Sequence, residues 1–198
     1  MAIFLEGVGA IAMACTLVIG LPTLAIALTA GRRAPWVVAG SVPATAIVMW
    51  AKAAGFWTLA GEGWMVLPIA VAIAAAFATV WRSDALTAPA SLGIGALAGG
   101  IAGWLWQPCV GEQLALILND AETDSPTAVP SMIVYTAGAL LPAILLAALP
   151  AAWPRLGPAL ANRRLATGGL VFGGLYALTV LSGRYDDLVG ELFRISSA

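Results

Sequence analysis

Six stretches of this chain carry no charged side chain: 7–31, 34–51, 63–81, 85–111, 125–154 and 165–183. A helix needs about 20 apolar residues, at 1.5 Å each, to cross the hydrocarbon core of a bilayer. Inside that core each segment must satisfy its own backbone hydrogen bonds, which leaves helices and closed barrels as the spanning structures. Runs of this length point to an all-α polytopic membrane protein with six transmembrane helices in a single integral membrane domain over 1–198. The balance of residues agrees, at 61% hydrophobic and 10% charged with a mean hydropathy of +0.96, where soluble domains carry about a quarter charged residues. The second run is the shortest and contains Pro43, so a short or kinked helix is expected there. Lys52 would then snorkel to the interface beside Trp50 and Trp57.

The charges between the runs set an orientation. Arg32 and Arg33 follow the first run, Arg82 the third, and Arg155, Arg163 and Arg164 the fifth, all on one side if six helices alternate. The other side receives Lys52, Arg184 and Arg194 among Glu6, Glu62, Asp120, Glu122, Asp124, Asp186, Asp187 and Glu191. The positive-inside rule then places both termini outside. No Lys or Arg precedes the first run, so it lacks the basic region of a cleavable signal and is expected to stay. Trp36, Trp50, Trp57, Trp64, Trp81 and Trp153 lie at or near segment ends, where indole rings favour the headgroup region.

The six runs divide into two triplets, repeat one at about 1–84 and repeat two at about 85–198. Each triplet has a cysteine in its first member, Cys15 or Cys109, and a proline in its second, Pro43 or Pro142. Three spans per half require opposite insertion of the halves, so an inverted repeat is expected. Glycines crowd the fourth run (Gly93, Gly95, Gly99, Gly100, Gly103) and the sixth (Gly168, Gly169, Gly173, Gly174). Close helix packing through small faces explains them without a mobile helix.

The chemistry available is narrow. With no histidine, a bis-imidazole haem, the usual zinc nitrogen ligand and the commonest proton shuttle are all missing. Two cysteines permit one pairing and are too few for a thiolate-ligated zinc or iron–sulfur site, so no metal and no bound cofactor is expected. A net charge of -1 without charge blocks makes nucleic acid an unsuitable partner. Thiols and carboxylates remain.

Cys109 stands in GWLWQPCVGEQLALIL, directly after Pro108. Pro108 removes a helix hydrogen bond and disfavours helical geometry at Gln107, so the fourth segment should break there and expose the thiol. The bland reading is a kink beside a buried cysteine acting as a small hydrophobe. Nothing local marks Cys15, in AMACTLVIGLP, as reactive; its case is the pairing with Cys109 across opposed halves. Glu112 is either an intramembrane carboxylate able to exchange a proton during thiol chemistry or the first residue of the acidic outer loop with Asp120, Glu122 and Asp124.

The stretches GWLWQPCVG, VYTAGALLPAILLAAL and LTVLSGRYDDL together resemble the CcdA/DsbD family of membrane thiol–disulfide electron carriers, small six-span proteins in the CcdA branch. The most specific point of likeness is the Pro108–Cys109 pair followed by Gly111 in the first span of a second triplet. The resemblance implies that Cys15 and Cys109 cycle between dithiol and disulfide in a prokaryotic cytoplasmic (inner) membrane. Electrons would come from cytoplasmic thioredoxin and go to a thioredoxin-like protein on the outer side, usually for cytochrome c maturation. The chain departs from the family pattern at Ala14, where proline normally precedes the first cysteine, at Pro22, which lies later than the family's downstream proline, and at Glu112, where the family usually has proline. Two other classes fit the same scaffold: a small-solute transporter with Glu112 as coupling group, and a non-catalytic membrane subunit of a larger complex.

Overall fold

The computed structural model describes residues 2–55, 87–106, 112–123, 127–152 and 163–196. No strand occurs among them. The helices are α1 (Ala2–Gly9), α2 (Ala14–Ala30), α3 (Ala34–Ala53), α4 (Ala88–Leu105), α5 (Glu112–Glu122), α6 (Ala128–Ala139), α7 (Leu141–Ala152), α8 (Arg163–Leu181) and α9 (Tyr185–Ser196). Short 3-10 turns at Ala10–Ala12 and Gly31–Arg33 flank α2.

Three of these helices are long and apolar enough to cross a bilayer: α3, α4 and residues Arg164–Leu181 of α8. A fourth candidate arises if α6 and Leu141–Leu149 of α7, bent by 67° at their junction, count as one broken span. The protein is thus an all-helical chain with three or four candidate membrane helices among the described residues, and the expected third segment, 63–81, lies outside them.

The boundaries differ from the charge-free runs for physical reasons. The first run is two helices, because the chain leaves helical geometry at Met13 (φ -75, ψ 145). Neither charge nor proline marks this break, and the residues around it, Ala10 to Ala14, are mostly good helix formers. The second run is one 20-residue helix that runs through Pro43, and so is not short. The fifth run breaks at Leu140, with Pro142 in the first turn of α7, where proline is tolerated but cannot donate back to the preceding turn. The expected equivalence of Pro43 and Pro142 therefore does not extend to backbone shape.

α3 is the hub. Val37, Ser41, Thr45 and Met49 on it are buried, and it packs against α4, α6, α2 and α7. The α3–α4 interface is a stripe of small residues at four-residue spacing, with Ser91, Gly95, Gly99 and Gly103 on α4 set against Val37, Ser41 and Thr45. A Cβ on Gly103 would lie 2.6 Å from the Thr45 carbonyl, and Cβ atoms on Gly95 and Gly99 would meet the carbonyls of Val37 and Ser41. Thr45 donates to the Ser41 carbonyl at 2.8 Å and lies 2.9 Å from the Gly99 carbonyl, so its hydroxyl stays satisfied while the backbones approach. The packing expectation holds for this stripe and for Gly169, which meets Ala25 and Thr29 of α2, but Gly93, Gly168 and Gly174 face open space.

α1 packs on α6 through a reciprocal contact, Gly7 against the Tyr135 carbonyl and Gly138 against the Phe4 carbonyl. α8 ends in a Schellman turn: Gly183 sits at φ 70, Gly183 N–H bonds to the Val180 carbonyl at 3.3 Å and Arg184 N–H to that of Thr179 at 3.1 Å. The turn delivers α9, an amphipathic helix that docks on α2.

Candidate functional site

Cys15 falls at a helix interruption. Cys15 is the second residue of α2, directly after the 3-10 turn and the extended Met13. On the other side of the fold, α4 stops at Leu105 and Trp106 turns extended (φ -62, ψ 132). The next described helix begins at Glu112, and the break expected at Gln107 and Pro108 lies outside the described residues. Pro108, Cys109 and Gly111 lie outside the described residues. Glu112 is the first residue of α5, and Pro22 sits inside the continuous α2, partly buried.

The chain after the break does not continue the span as its apolar letters suggest. α5 is an 11-residue amphipathic helix with Leu114, Ile117 and Ala121 buried, Leu116 exposed and Asp120 and Glu122 in its last turn. The spacing of the buried residues places them on one helical face.

The end of α4 is organised by side chains from two other helices. Lys52, in the last turn of α3, places its Nζ 3.0 Å from the carbonyl of Trp104 and 3.0 Å from that of Trp106. Between them, the Leu105 carbonyl accepts a hydrogen bond from the Tyr185 hydroxyl at the start of α9. A helix C-terminus leaves its last carbonyls without intrahelical partners and carries partial negative charge, so an ammonium is a favourable cap there. Tyr185 is also hydrogen-bonded to the hydroxyl of Tyr176 on α8.

Sequence reasoning assigned Lys52 to snorkelling beside Trp50 and Trp57 and gave Tyr185 no role. Its side chain is exposed as expected, but its ammonium is engaged by α4. The available signal was position: Lys52 ends one long apolar helix and Trp106 ends the next. Trp106 itself is buried in the core, which anchors the residue from which the Pro108–Cys109 segment departs.

A small apolar cleft of about 80 Å³ lies between the start of α2 and the α6–α7 bend, lined by Ile11, Thr16, Leu17, Gly20, Leu21, Leu24, Ala139, Leu140, Pro142 and Ala143. It therefore borders the residues that follow Cys15. Among the described residues no group of three or more His, Cys, Asp or Glu could hold a metal ion. Compared with protein-family models, curated proteins and solved structures, the chain matches none.

Proposed function

We propose that this protein relays reducing equivalents across a prokaryotic cytoplasmic membrane by thiol–disulfide exchange between Cys15 and Cys109. The observation that carries the reading is that the two cysteines of the chain each follow, in sequence, a residue at which a helix is interrupted: Cys15 comes two residues after the extended Met13 and Cys109 three residues after the extended Trp106. Irregular backbone at membrane depth is tolerated where protein covers it or a wet cavity meets it, and such places are where a thiol can be reached. The interruptions also occupy the same place, the first member, in each half of the chain, which favours the inverted repeat and its six spans. In this reading both termini face outward and the arginine-bearing loops face the cytoplasm.

The exchange balances as two successive dithiol–disulfide reactions. A thiolate of reduced cytoplasmic thioredoxin attacks the Cys15–Cys109 disulfide, forms a mixed disulfide, and is released as oxidised thioredoxin by its second thiol. The Cys15/Cys109 dithiol then reduces the disulfide of a thioredoxin-like protein on the outer side in the same way. Two electrons and two protons pass at each stage.

Replacing each cysteine with serine tests the proposal. In full-length protein in membranes, Cys15→Ser and Cys109→Ser should each abolish relay from thioredoxin to an outer acceptor, and each remaining cysteine should trap a thioredoxin-like partner in a mixed disulfide on a non-reducing gel. Relay that survives either change, or no adduct from both variants, would overturn it. A transporter or packing subunit would be indifferent to both substitutions.

A further inference from the structure

α6 and the Leu141–Leu149 stretch of α7 meet at Leu140 with a bend of 67°. The two arms are held very differently. α6 is fixed along its length: Ala128, Met132 and Thr136 are fully buried, the Thr136 hydroxyl lies 3.9 Å from the Met49 sulfur of α3, and Gly138 is pressed on α1. α7 meets α2 and α3 through small side chains, since the buried residues among its described side chains are Ala143 and Ala147, while Leu145 is 56% exposed. Pro142 removes an amide that would otherwise bond back across the junction. The apolar cleft of about 80 Å³ lies against this same junction, with Leu140, Pro142 and Ala143 on one wall and Leu17, Gly20 and Leu24 of α2 on the other. An unfilled apolar space forfeits contact energy that a closer approach of its walls would recover.

We infer that Leu140 is a hinge: α7 rocks against the fixed α6, and its closure onto α2 fills the cleft. Hinges of this kind are a few element-terminal residues that absorb a change of angle between packed bodies. The open position exposes the apolar face of α2 that begins just after the Met13 interruption, and the closed position covers it. Nothing is required of the thiols, so the hinge stands or falls apart from the relay. Two substitutions act on it in different ways. A Cβ on Gly20 would lie 4.0 Å from the Leu140 side chain, an ordinary contact, so alanine leaves the walls free whereas leucine puts a side chain into the space. Pro142→Ala returns the missing amide donor and ties the start of α7 to α6.

The test uses full-length protein in lipid nanodiscs, in a Cys15→Ser, Cys109→Ser background, with nitroxide labels on cysteines introduced at exposed positions. Ile47→Cys on α3 with Leu145→Cys on α7 reads across the hinge, and Ile47→Cys with Val134→Cys on α6 reads the fixed part. By double electron–electron resonance the hinge pair should show two distance components in the parent, and the fixed pair one. Gly20→Leu should remove the closed component of the hinge pair, Pro142→Ala should also leave a single component, and Gly20→Ala should keep both. The fixed pair should not change in any variant, which shows that each still folds. A single hinge-pair component in the parent, or two components that survive both Gly20→Leu and Pro142→Ala, would overturn the inference. Two components in the fixed pair as well would do the same, since the whole bundle would then be moving. Should Gly20→Leu shift the fixed pair, overpacking has reached the core and Pro142→Ala decides.

Discussion

At Met13 the chain leaves the helix with no side chain capping the start of α2, whereas at Trp106 side chains from two other helices take the last carbonyls of α4. The first interruption is held by backbone packing: α1 is fixed to α6 by Gly7 and Gly138, each pressed on a carbonyl across the interface. The second is held by a polar clamp. The two breaks are thus stabilised by different forces. The first should respond to volume and the second to charge, and substitutions can pull the two apart.

Volume should have the largest effect. Gly138→Leu would drive a side chain into the Phe4 carbonyl and the Val8 amide, neither of which is a flexible side-chain end able to move aside. Overpacking costs about 1–3 kcal/mol where side chains can adjust and more where backbone must shift. The expected outcome is detachment of α1, read as a loss of thermal stability in detergent and faster labelling of Cys15, with labelling of Cys109 little changed. Gly99→Leu on the α3–α4 stripe should be as damaging overall but should disturb Cys109 first. If both variants altered the two cysteines equally, the breaks would not be independently supported.

Charge comes next. Lys52→Met removes two hydrogen bonds to the α4 terminus, and bonds to charged groups contribute about 1.5–3 kcal/mol each when buried. Because Lys52 is exposed, solvent compensates part of that loss, and a drop of about 1–2 kcal/mol in unfolding free energy is expected from denaturant titration. Tyr185→Phe removes two neutral hydrogen bonds, to the Leu105 carbonyl and with the Tyr176 hydroxyl, and should cost about 1–2 kcal/mol. Neither change should alter labelling of Cys15. A Lys52→Met protein as stable as its parent would mean that water caps the helix equally well.

How much of this could be read from letters depended on the kind of force involved. The end of α4 was legible in part, since Pro108 lies just beyond the extended Trp106, and α3 was legible because it keeps closely to its charge-free run. The Met13 break was not legible: Ala12, Met13 and Ala14 carry no local signal, and the interruption is tied to α1 packing on a helix more than 100 residues later in the chain. The 67° bend at Leu140 was half legible, since Pro142 marked the place but the similar Pro43 sits in an unbroken helix. The Lys52 clamp was missed because a lysine at the end of an apolar run reads the same whether it meets headgroups or the carbonyls of a neighbouring helix. For the glycines, spacing was part of the clue: the four-residue series of Gly95, Gly99 and Gly103 marks one contact, whereas Gly7, Gly40, Gly138 and Gly169 make equally close approaches outside any such series.

The smallest effect expected bears most directly on why the first break exists. Gly9 lies at φ -62 and ψ -29, ordinary helical values, and a Cβ there would meet nothing within 4 Å. Gly9→Ala should therefore stabilise the protein by about 0.5–1 kcal/mol through reduced freedom of the unfolded chain, or about 2 °C in midpoint for a chain of this size. If α1 packing sets the interruption, Met13 stays extended and Cys15 reacts with a maleimide at its parent rate despite the added stability. If glycine flexibility sets it, the better helix former carries α1 through Ala10–Ala12 and Cys15 becomes a mid-helix residue with a reaction rate changed by about tenfold or more. The same logic applied across the fold, with Pro108→Ala, tests a covalent cause, and there the expected direction is opposite: removing proline should let α4 run on and bury Cys109 even with Lys52 in place.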